Sequence, residues 1–121
     1  MNESMSAWLA LLQGAYFLLT GVWPIVSIRT FQMVTGLKTD LWLVKTVALL
    51  IAVIGGALLW AGWTENVSGQ TAAIAVGSSL ALTAIDIWYV ARRVIPPIYL
   101  ADALAEIMLI AGWGWAAALG S

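Results

Sequence analysis

Two carboxylates, Asp102 and Glu106, lie four residues apart in an apolar segment that follows the pair Pro96-Pro97. In a helix this spacing places both carboxyl groups on one face. If this helix starts at Pro97 and enters a membrane there, the two carboxyl groups lie roughly 7 Å and 13 Å deep, because a helix rises about 1.5 Å per residue. Carboxylates at such depth need a cationic partner or a proton. Glu106 is the deeper of the two and the better candidate for holding a proton.

A third carboxylate, Asp86, precedes Arg92 by about 9 Å of helix, so we expect it at nearly the same depth as Asp102. Ser79, Thr83 and Asp86 share one helical face and form a polar stripe. One cation, Lys45, lies in the second turn of another apolar segment, and further polar groups flank the proline pair. The candidate ligand-binding residues are therefore Asp86, Asp102, Glu106, Lys45, Tyr99, Arg92 and Arg93.

The chain has no cysteine and no histidine. This composition excludes disulfides and thiolate chemistry, and it removes the commonest metal ligand and the usual general base near neutral pH. We therefore expect no metal site and no cofactor, and we assign no catalytic residue. The net charge of -1 gives no basis for binding nucleic acid.

Four apolar segments must position these residues, at about 7–26, 41–63, 72–91 and 98–119. Each is long enough to cross a hydrocarbon core of roughly 30 Å as a helix. With 63% hydrophobic and 9% charged residues, the composition is typical of a membrane protein. The sequence thus predicts an all-α, four-transmembrane-helix bundle that forms a single integral membrane domain over residues 1–121.

The connection at 27–40 interleaves apolar and polar residues, which predicts a short amphipathic helix that ends at Gly36. Thr39 or Asp40 is expected to cap the helix that follows.

Small and polar residues predict how the spans pack. In the first span, one face carries polar and aromatic residues at helical spacing: Gln13, Tyr16 or Phe17, Thr20 and Trp23. We interpret it as a face for interhelical hydrogen bonds rather than for contact with a ligand. Glycines predict close helix approach: Gly14 and Gly21 in the first span, and Gly55, Gly56 and Gly62 in the second. Trp113 and Trp115 lie toward the far end of the fourth span.

The basic residues predict the orientation of the protein. All five lie in or beside two connections: Arg29, Lys38, Lys45, Arg92 and Arg93. The positive-inside rule makes both connections cytoplasmic, so the N-terminus and the C-terminus face outward. We therefore expect a multi-pass protein of a bacterial cytoplasmic membrane, with its intramembrane carboxylates in the cytoplasmic half.

Three strings resemble an uncharacterised group of small bacterial membrane proteins: Thr-Gly-Val-Trp-Pro (20–24), Val-Thr-Gly-Leu-Lys-Thr-Asp-Leu-Trp-Leu-Val-Lys-Thr-Val (34–47) and Tyr-Leu-Ala-Asp-Ala (99–103). The size and four-helix plan also resemble DoxX-like proteins and, more remotely, the EXPERA-type bundles of sterol isomerases and sigma-2-like receptors. The latter resemblance implies a lipid-like ligand in a cavity lined by carboxylates. No diagnostic motif matches residue by residue, so no family site is transferred.

These features support several functions. The leading interpretation is a cytoplasmic-side acidic pocket that binds a small amphiphilic or lipid-like ligand. The alternatives are a proton- or ion-coupled transporter, an intramembrane isomerase or transferase that uses a carboxylate, and an accessory or scaffold subunit of a membrane complex. A purely structural role, in which Lys45 and the arginines pair with the carboxylates, also fits. Expected partners are membrane lipids, the ligand, and further copies or a larger complex.

Overall fold

Five helices and no strands make up residues 3–120, which are the part of the chain that the computed structural model describes. They are α1 (Glu3–Val26), α2 (Ile28–Thr35), α3 (Leu41–Trp63), α4 (Gly69–Ala91) and α5 (Tyr99–Gly120). All except α2 are long and apolar enough to span a membrane, which confirms the prediction of an all-helical protein with four spans. Two helices begin earlier than predicted: α1 at Glu3 rather than residue 7, and α4 at Gly69 rather than residue 72.

Helices α1 and α3 pack backbone to backbone through four glycines: Gly14 and Gly21 on α1, and Gly55 and Gly62 on α3. A Cβ atom at Gly55 would lie 2.5 Å from the backbone nitrogen of Leu18. The hydrophobic effect contributes little to the association of helices in lipid. Close approach stabilises the pair instead through van der Waals contact between the two backbones. Gly56 does not belong to this contact, because nothing lies within 4 Å of a Cβ atom there.

Helix α4 packs against α5, and this pair meets the α1–α3 pair around a buried core with one residue from each span: Ala10, Leu58, Ala75 and Trp113. The two pairs touch mainly through α1 and α5, and α3 contacts α4 sparsely. The outward faces carry large apolar side chains, such as Leu19 and Val53, which are 71% and 69% exposed. Apolar exposure of this extent is typical of a surface that faces lipid.

The connection between α1 and α3 contains the amphipathic helix predicted there. Helix α2 ends at Gly36, whose φ of +97° is one that residues with side chains rarely adopt. A Cβ atom at Gly36 would lie 2.9 Å from Cγ of Pro96, so this connection touches the loop between α4 and α5. Lys38 Nζ lies 5.5 Å and 5.2 Å from the ring centres of Phe31 and Tyr99. These cation–π contacts link the connection between α1 and α3 to the start of α5.

The two ends of the bundle differ in charge. The end with α2 and the loop 92–98 carries every Lys and Arg of the chain, and we refer to it as the basic end. The opposite end, with the start of α1, the loop 64–68 and the end of α5, is the terminal end.

Candidate functional site

Three carboxylates on two helices meet in the half of the bundle nearer the basic end. Asp102 on α5 lies within hydrogen-bonding range of Asp86 on α4 and of Glu106, one turn further along α5. The side chains of Asp86 and Glu106 are buried, at 4% and 0% exposed. We refer to these three residues as the carboxylate cluster.

The same helical periodicity that builds the core also buries these acids. The inward face of α5 carries Asp102, Glu106, Leu109 and Trp113 at spacings of four, three and four residues. The inward face of α4 carries Ala75, Ser79 and Asp86. Because each acid lies on the buried face of its own helix, packing α4 against α5 brings the carboxyl groups together.

A hydrogen-bonded chain leads from the cluster toward the terminal end. Ser79 Oγ donates to Glu106 Oε1 at 2.8 Å, and Gln13 Nε2 donates to Ser79 Oγ at 3.1 Å and to the carbonyl oxygen of Ala75 at 2.9 Å. Trp113 Nε1 in turn donates to Gln13 Oε1 at 2.8 Å. The Gln13 side chain of α1 thus bonds to α4 through its amide nitrogen and to α5 through its amide oxygen.

A second link joins α1 to the cluster, because the Tyr16 hydroxyl donates to Asp102 Oδ1. The interior is therefore layered along the bundle. The layer nearest the terminal end is the apolar core that contains Leu58. The next layer holds Gln13, Ser79 and Glu106, and the layer nearest the basic end holds Tyr16, Asp86 and Asp102. Polarity rises toward the basic end.

No cation neutralises the cluster within residues 4–119. Lys45 and Arg93 are exposed, and the guanidinium of Arg92 lies 4.8 Å from the ring centre of Trp88 instead. Asp86 Oδ2 and Glu106 Oε2 are buried and face no N–H or O–H donor of the described residues. Two carboxyl groups in contact can form a hydrogen bond only when one of them carries a proton. The arrangement therefore calls for protons or for an external cation.

The structure brings together three of the seven predicted ligand-binding residues: Asp86, Asp102 and Glu106. Within residues 4–119, the remaining four make no hydrogen bond or ion pair with the cluster, and Tyr99 packs on Lys38 at the basic end. Ion pairing of Lys45 and the arginines with the carboxylates is not observed.

Two contributors, Gln13 and Tyr16, were predicted as part of a face for interhelical hydrogen bonds, which both of them make, but they were not predicted to contact the carboxylates. Trp113 was predicted only to lie toward the far end of the fourth span, and its part in this network was not predicted. Its side chain is buried at 2% exposed, because its N–H finds an acceptor in Gln13.

We expect Gln13→Ala to lower the free energy of unfolding by about 2 kcal/mol, at about 0.6 kcal/mol for each of the three interhelical hydrogen bonds lost. The variant also leaves Trp113 Nε1 buried without an acceptor. Unfolding in mixed micelles of rising dodecyl sulfate content, followed by circular dichroism, measures the effect. Gln70→Ala is the matched control because Gln70 is exposed. Equal stability of the two variants would contradict this role for Gln13.

No known protein family, no curated protein and no solved structure matches this chain.

Proposed function

We propose that this multi-pass membrane protein exchanges protons for an amphiphilic organic cation at the carboxylate cluster. The observation that carries the proposal is that Asp86, Asp102 and Glu106 lie together and that, within residues 4–119, no Lys or Arg pairs with them. Adjacent carboxylates in a medium of low dielectric constant cannot all stay ionised without compensating positive charge. The cluster therefore holds protons, and a bound cation can take their place.

The surroundings of the cluster favour an organic cation over a metal ion. The described residues contain no group of three or more acidic residues arranged to hold a metal ion. Tyr16, whose hydroxyl already reaches Asp102, adds an aromatic ring that can contact an organic cation. Because the cluster lies within membrane-spanning helices, its ligand must also tolerate an apolar environment, as an amphiphile does.

The cluster lies where the two helix pairs can separate. The α1–α3 pair is locked by glycine contacts, whereas the junction with α4 and α5 near the cluster depends on polar links such as Tyr16 to Asp102 and Gln13 to Ser79. Opening at this junction gives a ligand access to Glu106, which is fully buried. Exchange of a proton for a larger cation therefore requires movement between the pairs.

The proposed orientation places the basic end in the cytoplasm of a bacterium, because all five Lys and Arg residues lie at that end. The cluster then exchanges its protons and its ligand with the cytoplasm or the inner lipid leaflet. Membrane lipids are its surroundings and a source of amphiphilic ligands.

Binding of tetraphenylphosphonium tests the exchange, since its charge does not change with pH. We expect each bound cation to release about one proton, so that affinity rises about tenfold per pH unit while protons still compete. Isothermal titration in two buffers of different ionisation enthalpy measures both the affinity and the number of protons released. The purified protein is used in an uncharged detergent.

Asp102→Asn is expected to abolish this binding, because Asp102 is the carboxylate in contact with both of the others. Asp40→Asn is the matched control, because Asp40 is exposed and its side chain makes no capping hydrogen bond. Binding that is independent of pH and releases no proton would contradict the proposal, as would full binding by the Asp102 variant.

Transport is the second candidate function, and the chain from Glu106 through Ser79 to Gln13 favours it. This chain carries polar groups from the cluster toward the terminal end, where the apolar core around Leu58 closes the path. Accumulation of tetraphenylphosphonium in sealed vesicles under a pH gradient would indicate transport. Pronounced binding without accumulation would leave the protein as a binding protein only.

A further inference from the structure

A small notch opens at the terminal end, between the start of α1, the end of α3 and the loop that follows. Its volume is about 170 Å³. The residues that line it include two tryptophans and one acidic residue: Trp8, Trp63 and Glu65. This notch is separate from the carboxylate cluster, which lies toward the basic end.

A glycine contact between the helices explains why the notch exists. A Cβ atom at Gly62 would lie 2.7 Å from the carbonyl oxygen of Ala7, so the two backbones touch there. Trp8 and Trp63 each follow one of these contact residues, so their rings flank the contact and remain 70% and 81% exposed. Neither indole makes a ring contact or a side-chain hydrogen bond within residues 4–119. Their aromatic faces are thus free for a ligand.

Glu65 gives the notch its negative charge. Its backbone N–H donates to the carbonyl oxygen of Gly62 at 3.2 Å, which holds it beside the end of α3. The loop 64–68 contains no Lys or Arg, and Glu65 makes no ion pair in the described part of the chain. The notch therefore favours cations over anions.

We infer that this notch binds a quaternary ammonium group of the choline type. Aromatic rings with a nearby carboxylate recognise such groups, which have an apolar surface and no hydrogen to donate. A metal ion such as Ca²⁺ takes about six to eight oxygen ligands, whereas the described side chains that line the notch offer one carboxylate, of Glu65, and one hydroxyl, of Ser4. The volume of about 170 Å³ is below the roughly 300–1,000 Å³ of sites for drug-sized ligands, so the notch admits a headgroup rather than a whole amphiphile.

The same chemistry has two natural sources. The notch lies where two candidate spans end, at the level where tryptophans and lipid headgroups meet. A phosphatidylcholine headgroup can enter it while the acyl chains follow the apolar surface of α1, which includes Leu11. A free choline compound can enter it from the water.

Two binding measurements separate these sources. Choline is titrated against its uncharged isostere 3,3-dimethylbutan-1-ol with the protein in maltoside detergent, and we expect about tenfold tighter binding of choline. Native mass spectrometry of protein from nanodiscs with equal phosphatidylcholine and phosphatidylglycerol reports which lipid is retained. If the protein prefers choline over its isostere but retains neither lipid selectively, the ligand is a free choline compound. Selective retention of phosphatidylcholine supports a lipid headgroup. Absence of both preferences overturns the inference.

Glu65→Gln and Trp63→Leu are expected to remove whichever preference the wild type shows. Trp60→Leu is the matched control, because Trp60 is 73% exposed on the same helix but does not line this notch. A preference that survives both notch variants, or that Trp60→Leu removes equally, overturns the inference. Glu106→Gln should leave it intact, which makes this test independent of the proposed exchange at the cluster.

Discussion

Replacing Gly55 with alanine is expected to lower the free energy of unfolding by about 2–3 kcal/mol, whereas the same change at Gly56 leaves it unchanged or raises it. A Cβ atom at Gly55 would lie 2.5 Å from the nitrogen of Leu18 and 2.8 Å from the carbonyl oxygen of Gly14. Both atoms belong to the backbone, so no side-chain rotation relieves the overlap and α1 must move away from α3. At Gly56 the added methyl group meets no atom within 4 Å.

The comparison is well controlled because the two variants carry the same chemical change at adjacent positions of one helix. Alanine is favoured over glycine in a helix by about 1 kcal/mol, and this gain applies to both. Unfolding in mixed micelles, followed by circular dichroism, gives the two free energies. Equal effects at Gly55 and Gly56 would show that the backbones of α1 and α3 do not touch at this position.

The glycine contact illustrates how far the sequence predicts the packing of this bundle. The apolar segments predicted four spans, and the glycines of α1 and of α3 predicted that each of these helices has a surface for close approach, but not that the two surfaces meet. The sequence could not distinguish Gly55 from Gly56. Neighbouring residues of a helix point about 100° apart, and the rotation of a helix about its own axis depends on the surface of its partner.

The carboxylates, too, were predictable in part: their position along the bundle was predictable, but their partners were not. Spacing and depth predicted that Asp86 and Asp102 lie at nearly the same level and that Glu106 lies deeper, and the structure has them in two adjacent layers of the bundle. Their pairing with cations was a reasonable expectation, but a long side chain near a helix end can reach back to the membrane surface. Lys45 is exposed and Arg92 stacks on Trp88, so neither enters the interior.

The polar partners of the cluster were harder to predict because they come from a distant part of the chain. Gln13 and Tyr16 are 62 to 100 residues away from the groups that they contact on α4 and α5. Helical spacing showed that α1 has a polar face, but not which helix this face meets. That choice follows from the arrangement of the spans, which hydrophobic periodicity alone does not specify.

Glu106→Gln is expected to abolish tetraphenylphosphonium binding while leaving the protein at least as stable as the wild type. Glu106 Oε1 accepts a hydrogen bond from Ser79 at 2.8 Å, and the amide oxygen of glutamine can accept the same bond. The amide nitrogen then takes the position of Oε2, which is buried and faces no donor of the described residues. From there it can donate to Asp102 without a bound proton. The cluster loses one negative charge and gains a fixed donor, so a cation is no longer required.

Glu106→Ala provides the contrast. It leaves the Ser79 hydroxyl without its acceptor, and it creates a cavity at position 106, which is fully buried. We expect it to lower the free energy of unfolding by about 2–3 kcal/mol. Binding and unfolding are measured on the same preparations of both variants. If Glu106→Gln destabilises the protein as much as Glu106→Ala does, the carboxylate is needed for the fold itself. If the glutamine variant is stable and still binds the cation, Glu106 is not part of the exchange site. Only stability together with loss of binding supports a cluster whose charge serves a ligand, because a carboxylate retained for packing alone would be replaced by its amide without loss of function.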